Sequence, residues 1–496
     1  MFSLDDSKEG RARLFDQVHP AVRVKAKEWT LLLDAIDGEG GFSNGDYLWK
    51  FPREIDTEWL NRKAQARYHN YADTIAGFYV RKVLGSVQRQ TKNADLEAWW
   101  ADVDGGGTGI DDFLTRALLK ALTAGHVGIL VDKTTDTPTG PARADERARV
   151  LLAPYLPTHI LDWRMTSGDT IASVKLREWA PESGLLEPPK EGDDAYQMLL
   201  WDADEWVRVP REGAITRAPH GLGQVPLVVL APLPSGRWPL VGRGVMGNGS
   251  LLRALYNRQS EEDDVLRNQA FSVFVVSVPT DVTDMEQVKR DMGTEIGTTR
   301  ALFVRGSGDY ATPDMGVPAE IRTNQQHLIR ELYRIAHVPY DNDSKDIESG
   351  ESKKADWEEI SGVLRGVAEE MHRVEMQLAR LWCAWQSATP DAAETLFEAA
   401  DISITYPTVF FAPTTAEALE ADAAMLRLEI GPEWDKVVKR DAVRYYKPAL
   451  PQETLDKIDQ EIESGAGIPE PVMDPSALRR EARGRMAALV GEDDAA

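Results

Sequence analysis

At 496 residues the chain has room for about two or three domains and a sizeable core, and 42% hydrophobic with 28% charged residues is the make-up of a folded protein. It contains no run of about 18 apolar residues, and its opening "MFSLDDSKEGRARLF" has no apolar h-region; neither a membrane span nor a secretory leader is expected. The single cysteine, Cys383, excludes an internal disulfide and a thiolate zinc cluster within one chain, and fits a reducing compartment. The net charge of −24 argues against a protein that grips nucleic acid, because such affinity rests on Lys and Arg neutralising phosphates. It is compatible with a surface that lets a polyanion pass, and equally with solubility alone.

The first 100 residues read as mostly helical. In "TEWLNRKAQARYHNYADTIAGFYVRKVLGSV", Leu60, Ala64, Tyr68, Tyr71, Ile75, Tyr79 and Val83 recur at spacings of three and four and predict one apolar helix face. "DGGGTG" (104–109) breaks the pattern. A helix follows, with Asp111 and Asp112 at its start and Gly125 at its stop. "VGILVD" reads as a buried strand, and further strands are expected at "SVKLREWA", "YQMLLWDADEWVRV" and "VPLVVLAPL".

Asn248 or Ser250 then caps a helix carrying Leu251, Leu255 and Leu266. A strand "FSVFVVSV", a short helix "TDMEQVKRDMG" and a second strand "TRALFVR" make a small insert. A helix returns in "PAEIRTNQQHLIRELYRIAHVP", between Pro318 and Pro339. The polar loop that follows leads into the most regular helix of the chain. Its seam is Trp357, Ile360, Leu364, Val367, Met371, Val374, Leu378, Leu381 and Trp385. Such a seam suits a coiled coil, but Gly362 and Gly366 each cost about 1 kcal/mol in a helix. A helix lying across a globular domain is the better reading. "DISITYP" is a strand, and short helices are expected at "TTAEALEADAAMLRLE", "PQETLDKIDQEIESG" and "DPSALRREARGRMAALV".

Motifs for chemistry are missing. There is no GxxxxGK[ST], no HExxH, no histidine pair at i and i+4 and no GxSxG. "DGGGTG" and "GVMGNGS" read as turns, since no strand precedes them as a phosphate-cradling loop requires. No catalytic residue, cofactor or metal site is assigned. Glu261, Glu262, Asp263 and Asp264 are four consecutive acids on one helix. Two readings are open: a solvated helix, or, with the helix repeated around an axis, a ring of negative charge.

Three stretches in this order resemble the portal (head-to-tail connector) proteins of tailed double-stranded DNA bacteriophages, a likeness that spans most of the chain. "YNRQSEEDDVLRNQAFSVFVV" is similar to the outgoing stem helix entering a clip, "PAEIRTNQQHLIRELYRIAHVPY" to the returning stem helix, and "SKDIESGESKKADWEEISGVLRGVAEEM" to a tunnel loop followed by the long wing helix. The resemblance implies an α+β portal architecture with an α/β wing, a two-helix stem, a small α/β clip, a tunnel loop plus long helix, and a helical crown. The expected divisions are 1–245 (wing), 246–270 (stem helix 1), 271–317 (clip), 318–339 (stem helix 2), 340–352 (tunnel loop), 353–410 (long helix and wing strand) and 411–496 (crown and tail).

The resemblance further implies a non-enzymatic homo-oligomeric ring, usually of twelve subunits, at one capsid vertex of the virion, made in the host cytoplasm. Its partners would be double-stranded DNA passing without sequence specificity, the terminase large subunit, major capsid and scaffold proteins, and tail adaptors, with no membrane. Asp341, Asp343, Lys345, Asp346, Glu348 and Glu351 would face the channel, with Lys353 and Lys354 at the loop's base. Those lysines oppose the helix dipole, so either they are solvated or they meet phosphates or a neighbour's carboxylates. The clip is too short for a core of its own; β pairing between subunits is expected there, through Phe271, Val273, Val275, Leu302 and Val304. Two other readings compete: an acidic, Trp-rich hydrolase, and another phage assembly protein (scaffold or tail component) with a coiled-coil arm.

Overall fold

The structure is a computed structural model that describes residues 2, 4–52, 54–133, 149–167, 170–180, 195–270, 274–278, 301–305, 316–340, 350–410, 423–427, 430–446 and 452–464. The fold is α+β. Its N-terminal part contains α1 (Lys8–Asp16), α2 (Pro20–Asp37), α3 (Asp56–Gln65), α4 (Tyr71–Leu84), β1 (Gln88–Gln90), α5 (Ala94–Ala101) and α6 (Ile110–Ala124). Then come β2 (Val127–Lys133), β3 (Val150–Tyr155), β4 (Ile160–Met165), β5 (Ile171–Trp179), β6 (Tyr196–Trp201), β7 (Glu205–Pro210), β8 (Thr216–Pro219) and β9 (Leu227–Leu230). After these follow α7 (Ser250–Ala270), β10 (Phe274–Val278), β11 (Ala301–Arg305), α8 (Gly316–Ile335), α9 (Gly350–Gln386), α10 (Pro390–Ala399) and β12 (Ser403–Thr405). The chain divides after Phe410. The second unit holds α11 (Pro432–Tyr446) and α12 (Gln452–Ser464), tied by Arg440 to Asp459 at 3.4 Å and by Lys436 to Glu463 at 3.2 Å.

The unbroken apolar run "VGILVD" is explained by its position. β2 is the central strand of an antiparallel sheet of order β3-β2-β9, and both faces of that sheet are covered. Alternation along the strand sends Val127, Ile129 and Val131 into the helical core and Leu130 into a second core. The helical core is built from α2, α4, α6 and α9. The second core is closed by an antiparallel meander of order β4-β5-β6-β7-β8, through Trp163, Val174, Leu176, Leu199 and Trp201. The outer face of the meander, Leu161, Met198, Leu200, Val207 and Val209, is covered by Phe15 of α1.

Gly125 ends α6 at φ +101°, a conformation only glycine takes without strain, and a Cβ there would sit 2.5 Å from the Gly242 carbonyl oxygen. "DGGGTG" and "GVMGNGS" are turns. In the first, Asp104 accepts from the Gly106 and Thr108 amides; in the second, Asn248 accepts from the Ser250 amide.

Several boundaries differ from the sequence expectation. The apolar face expected from Leu60 to Val83 is broken at 66–70, where Asn70 caps α4 by accepting from the Asp73 amide and donates to the Ile36 carbonyl. Leu60 is consequently 62% exposed, while Ile75, Tyr79 and Val83 are buried. β1, β3, β4, β8, α10 and α11 had no counterpart in the sequence reading. α8 spans 316–335 rather than 318–339: His337 takes a left-handed φ of +48°, and Pro339 biases Val338 away from helix. α9 starts at Gly350, so Glu351 and Ser352, assigned to the loop by sequence, belong to the helix. A carboxylate suits that first turn.

Candidate functional site

α7 and α8 form an antiparallel pair rooted in the body at one end. Leu252, Leu255 and Tyr256 near the start of α7 and Leu332, Ala336 and Val338 near the end of α8 all lie in the helical core. At about 1.5 Å per residue, the 21 residues of α7 and the 20 of α8 run some 30 Å. Their other ends lead to β10 and β11, which pair in parallel with Val275 opposite Leu302 and Ser277 opposite Val304. A parallel pair needs a crossover connection rather than a hairpin; the connecting residues 279–300 lie outside the described residues. Val275, Leu302 and Val304 of the expected clip interface are on these strands; Phe271, Val273 and the expected helix "TDMEQVKRDMG" lie outside the described residues.

The four acids of α7 are half-buried. Glu262 accepts from Arg322 of α8 at 2.7 Å and from Gln325 at 2.9 Å, Asp263 takes a two-pronged contact from Arg67 at 2.9 and 3.0 Å, and Glu261 is ion-paired to Arg258. At least three of the four carboxylates therefore have a cation within the same chain.

Sequence reasoning missed a polar stripe on the inner side of α7. Asn257 is fully buried; it accepts from the Trp49 amide at 2.7 Å and donates to the Tyr47 carbonyl at 3.1 Å. Arg253 donates to that same carbonyl. Buried Arg62 of α3 reaches Glu54, the Trp49 carbonyl and the Ser260 hydroxyl. The spacing of Arg253, Asn257 and Ser260, polar positions one turn apart beside the apolar Leu252, Leu255 and Tyr256, is the signal that would have found it.

α9 lies across the body as expected, not in a coiled coil. Ile360, Leu364, Val367, Met371, Val374, Leu378 and Leu381 are buried, and Trp385 donates its indole N–H to the Val131 carbonyl. Gly362 and Gly366 are on its open side. Glu375, 1% exposed, is ion-paired to Arg89 of β1 and accepts from the Tyr406 hydroxyl at 2.5 Å. Arg89 also holds Asp111 at 2.6 Å. Burial and the Glu375 carboxylate push the Tyr406 hydroxyl up. Arg373 donates to the Val229 carbonyl and Glu370 accepts from the Ala231 amide, which closes the outer edge of β9. Asp341, Asp343, Lys345, Asp346 and Glu348 lie outside the described residues; Glu351, Lys353 and Lys354 are placed by backbone in the first turns of α9.

Among the described residues no group of three or more His, Cys, Asp or Glu side chains is placed to hold a metal ion, and no helix is long and apolar enough to cross a membrane.

No known family profile matches the chain, and no curated protein does. Among solved structures it is similar to a chain in the virion of a native gene transfer agent particle, with TM-score 0.38 and 12% identity over 83% of this chain and 98% of that one. It is also similar to chains in the neck of the native particle, computed with C12 symmetry (TM-score 0.35, 13% identity, 74% and 90% covered), and in the neck of the empty particle, computed with C6 symmetry (TM-score 0.36, 12% identity, 83% and 98% covered).

Proposed function

We propose that the chain is the subunit of a portal ring at one vertex of a phage-like capsid, a channel for genome packaging and ejection that docks a terminase and tail adaptors. The observation that carries this reading is the helix pair α7–α8. It is rooted in the core at one end, runs into a small parallel strand pair at the other, and is followed in sequence by a polar loop and a 37-residue helix seated on the body. An α/β wing, a two-helix stem, a strand-built clip and a tunnel loop would occur in that order.

In this reading the protein works mechanically. The rigid parts are the stem root, fixed by Asn257 and Arg62, and α9, fixed by its buried seam and by Glu375. The part facing DNA is the segment 341–349, where four carboxylates against Lys345 make a ring of loops net negative and keep phosphates from sticking. DNA would pass without sequence specificity, and no reaction is assigned to any side chain. The stem acids contribute less free charge to a channel wall than their sequence suggests, because Glu261, Glu262 and Asp263 at least are already paired.

Electron microscopy of the purified full-length chain tests the reading. Closed rings with a central hole, about twelve subunits by mass photometry, are expected. Monomers or rods over a broad range of salt and concentration would refute it.

A further inference from the structure

The outer face of the meander depends on α1 for its cover. Leu161, Met198, Leu200, Val207 and Val209 are buried there against Phe15, the one buried residue of α1, with Leu4, Leu14 and Val18 partly buried beside it. α1 has nine residues, fewer than the roughly 12–15 that an isolated helix needs, so its helical state depends on docking. The chain rejoins the body at His19, whose amide donates to the Leu161 carbonyl at 2.8 Å and whose ring stacks on Trp163 at 3.8 Å. Gln17, just past the end of α1, is extended.

One side chain holds that end of the helix. Lys175 of β5, 5% exposed, donates through Nζ to the Leu14 carbonyl at 2.8 Å and to the Gln17 carbonyl. These are end carbonyls that a helix leaves without a partner, and a cation suits them. Among the described residues the ammonium has no carboxylate at ion-pair distance. Its cross-strand neighbours are Asp162 on β4 and Leu200 on β6, and Asp162 is ion-paired to Arg164 at 3.1 Å. Docking α1 therefore dehydrates a charge against two neutral carbonyls, and lifting α1 returns that charge to water.

We infer that α1 is a strap, hinged at Gln17 and Val18, that lifts from the meander before the body unfolds, with Lys175 as the latch that sets how often it does so. Local opening of this kind belongs to elements with few buried contacts. Burial pushes the Lys175 pKa down to about 8 with the strap closed; with the strap lifted it returns to its ordinary value of about 10.5. Below pH 8 the charge therefore favours the open strap. As pH rises from 8 towards 10.5 the closed form sheds its proton first, and closure is favoured. Between pH 7 and pH 9 the open fraction falls about tenfold. Lys175 faces Asp162 and Arg164 of β4, Leu200 of β6 and the carbonyls of α1; burial holds the pKa of His19, beyond the hinge, below its ordinary value. The chain's α-amino group also titrates at about pH 8. All of these groups are common to the proteins compared in the test.

Val207→Cys places a thiol beneath α1 at a position 0% exposed, and buried Cys383 of α9 reports unfolding of the body. The full-length variant is treated with iodoacetamide, labelling at each site is read by peptide mass spectrometry, and rates are divided by that of glutathione at the same pH. The site at 207 should label faster than Cys383, and its corrected rate should be about tenfold lower at pH 9 than at pH 7. With Lys175→Met added, that pH dependence should vanish. Hydrogen exchange of the amides of 11–16 in the unsubstituted chain, corrected for intrinsic rates, should show the same tenfold and does not depend on the variant's folding. Equal labelling of the two sites would show that α1 leaves only with the whole fold and would overturn the strap. A pH dependence that survives Lys175→Met would overturn the latch.

Discussion

Among the described residues, His126 is the one histidine buried with no hydrogen-bond partner for either ring nitrogen, and its protonation couples stability to pH. It sits between Gly125 and β2, 1% exposed, with its ring edge-on to Trp29 at 5.2 Å. Among the described residues neither of its ring nitrogens has a hydrogen-bond partner. Burial pushes its pKa down to about 3. The folded-state value is thus depressed below the unfolded one, near 6.5. The group's contribution to stability is fully present above pH 6.5 and is lost as pH falls from there towards about 3. Linkage between these two values gives a loss of about 2 kcal/mol from pH 7 to pH 5, because the unfolded chain takes up a proton that the folded chain refuses.

The perturbation is His126→Leu, a change of similar volume that removes both nitrogens. At pH 7 the variant regains about 1–3 kcal/mol of desolvation cost and loses about 1 kcal/mol of ring contact with Trp29, so the absolute change is small. The pH dependence is the sharper quantity. For the 410 residues of the first unit, an unfolding entropy of about 2 cal/mol/K per residue converts 2 kcal/mol into a melting shift of roughly 2–3 °C. Thermal melts at pH 7 and pH 5 should show the wild-type protein losing that much more than His126→Leu. Parallel profiles for the two proteins would refute the account of His126 as a buried neutral histidine.

Four further outcomes are expected. Glu375→Ala leaves the buried Arg89 guanidinium with Asp111 alone and takes the acceptor from the Tyr406 hydroxyl, and should cost about 3 kcal/mol by denaturant titration; an unchanged midpoint would show that the network does not hold α9. Arg322→Ala removes a pair whose arginine is 62% exposed and should cost only about 1 kcal/mol, while speeding amide exchange along 258–266; unaltered exchange would mean that this pair does not hold the stem together. Val275→Pro removes an N–H within β10 and should impair assembly while the melt of the body is kept; intact rings would argue against a clip contact between subunits. Replacing 341–349 with a Gly-Ser linker should leave assembly unchanged and stop packaging or retention of DNA; a normally filled particle would reduce that segment to a connector.

What could be read from the sequence follows from what each kind of element depends on. The α9 seam was legible because one buried face fixes every third or fourth residue over many turns, and the same holds for "VGILVD", buried on both sides. Leu60 was misread because apolar spacing alone cannot register a break; the break at 66–70 is made by Asn70 bonding to Ile36, a contact between residues 34 apart. Both β3 and β4 are edge strands: β3 was missed because Pro154 interrupts a short apolar run, and β4 because Asp162 and Arg164 are mixed into it. The stripe Arg253, Asn257 and Ser260 was hidden by its surroundings: polar residues on a helix next to four acids look solvated until the loop 47–54 is laid over them.

The paired acids of α7 also bear on how a chain of charge −24 could serve a polyanion. Unpaired carboxylates on a stem would repel neighbouring subunits as strongly as they repel DNA, since every charge is repeated around the axis. Pairing Glu262 with Arg322 across the hairpin, and Asp263 with Arg67 from the body, removes most of that cost within one subunit. It also spends the acids on holding the two helices to each other and to the wing. In the proposed ring, repulsion of DNA could then be left to 341–349, whose sequence sets Asp341, Asp343, Asp346 and Glu348 against Lys345. In the proposed ring, salt should therefore weaken both the loops' repulsion of DNA and the stem pairs, because Arg322 and Arg67 are 62% and 73% exposed and screening acts on exposed charges.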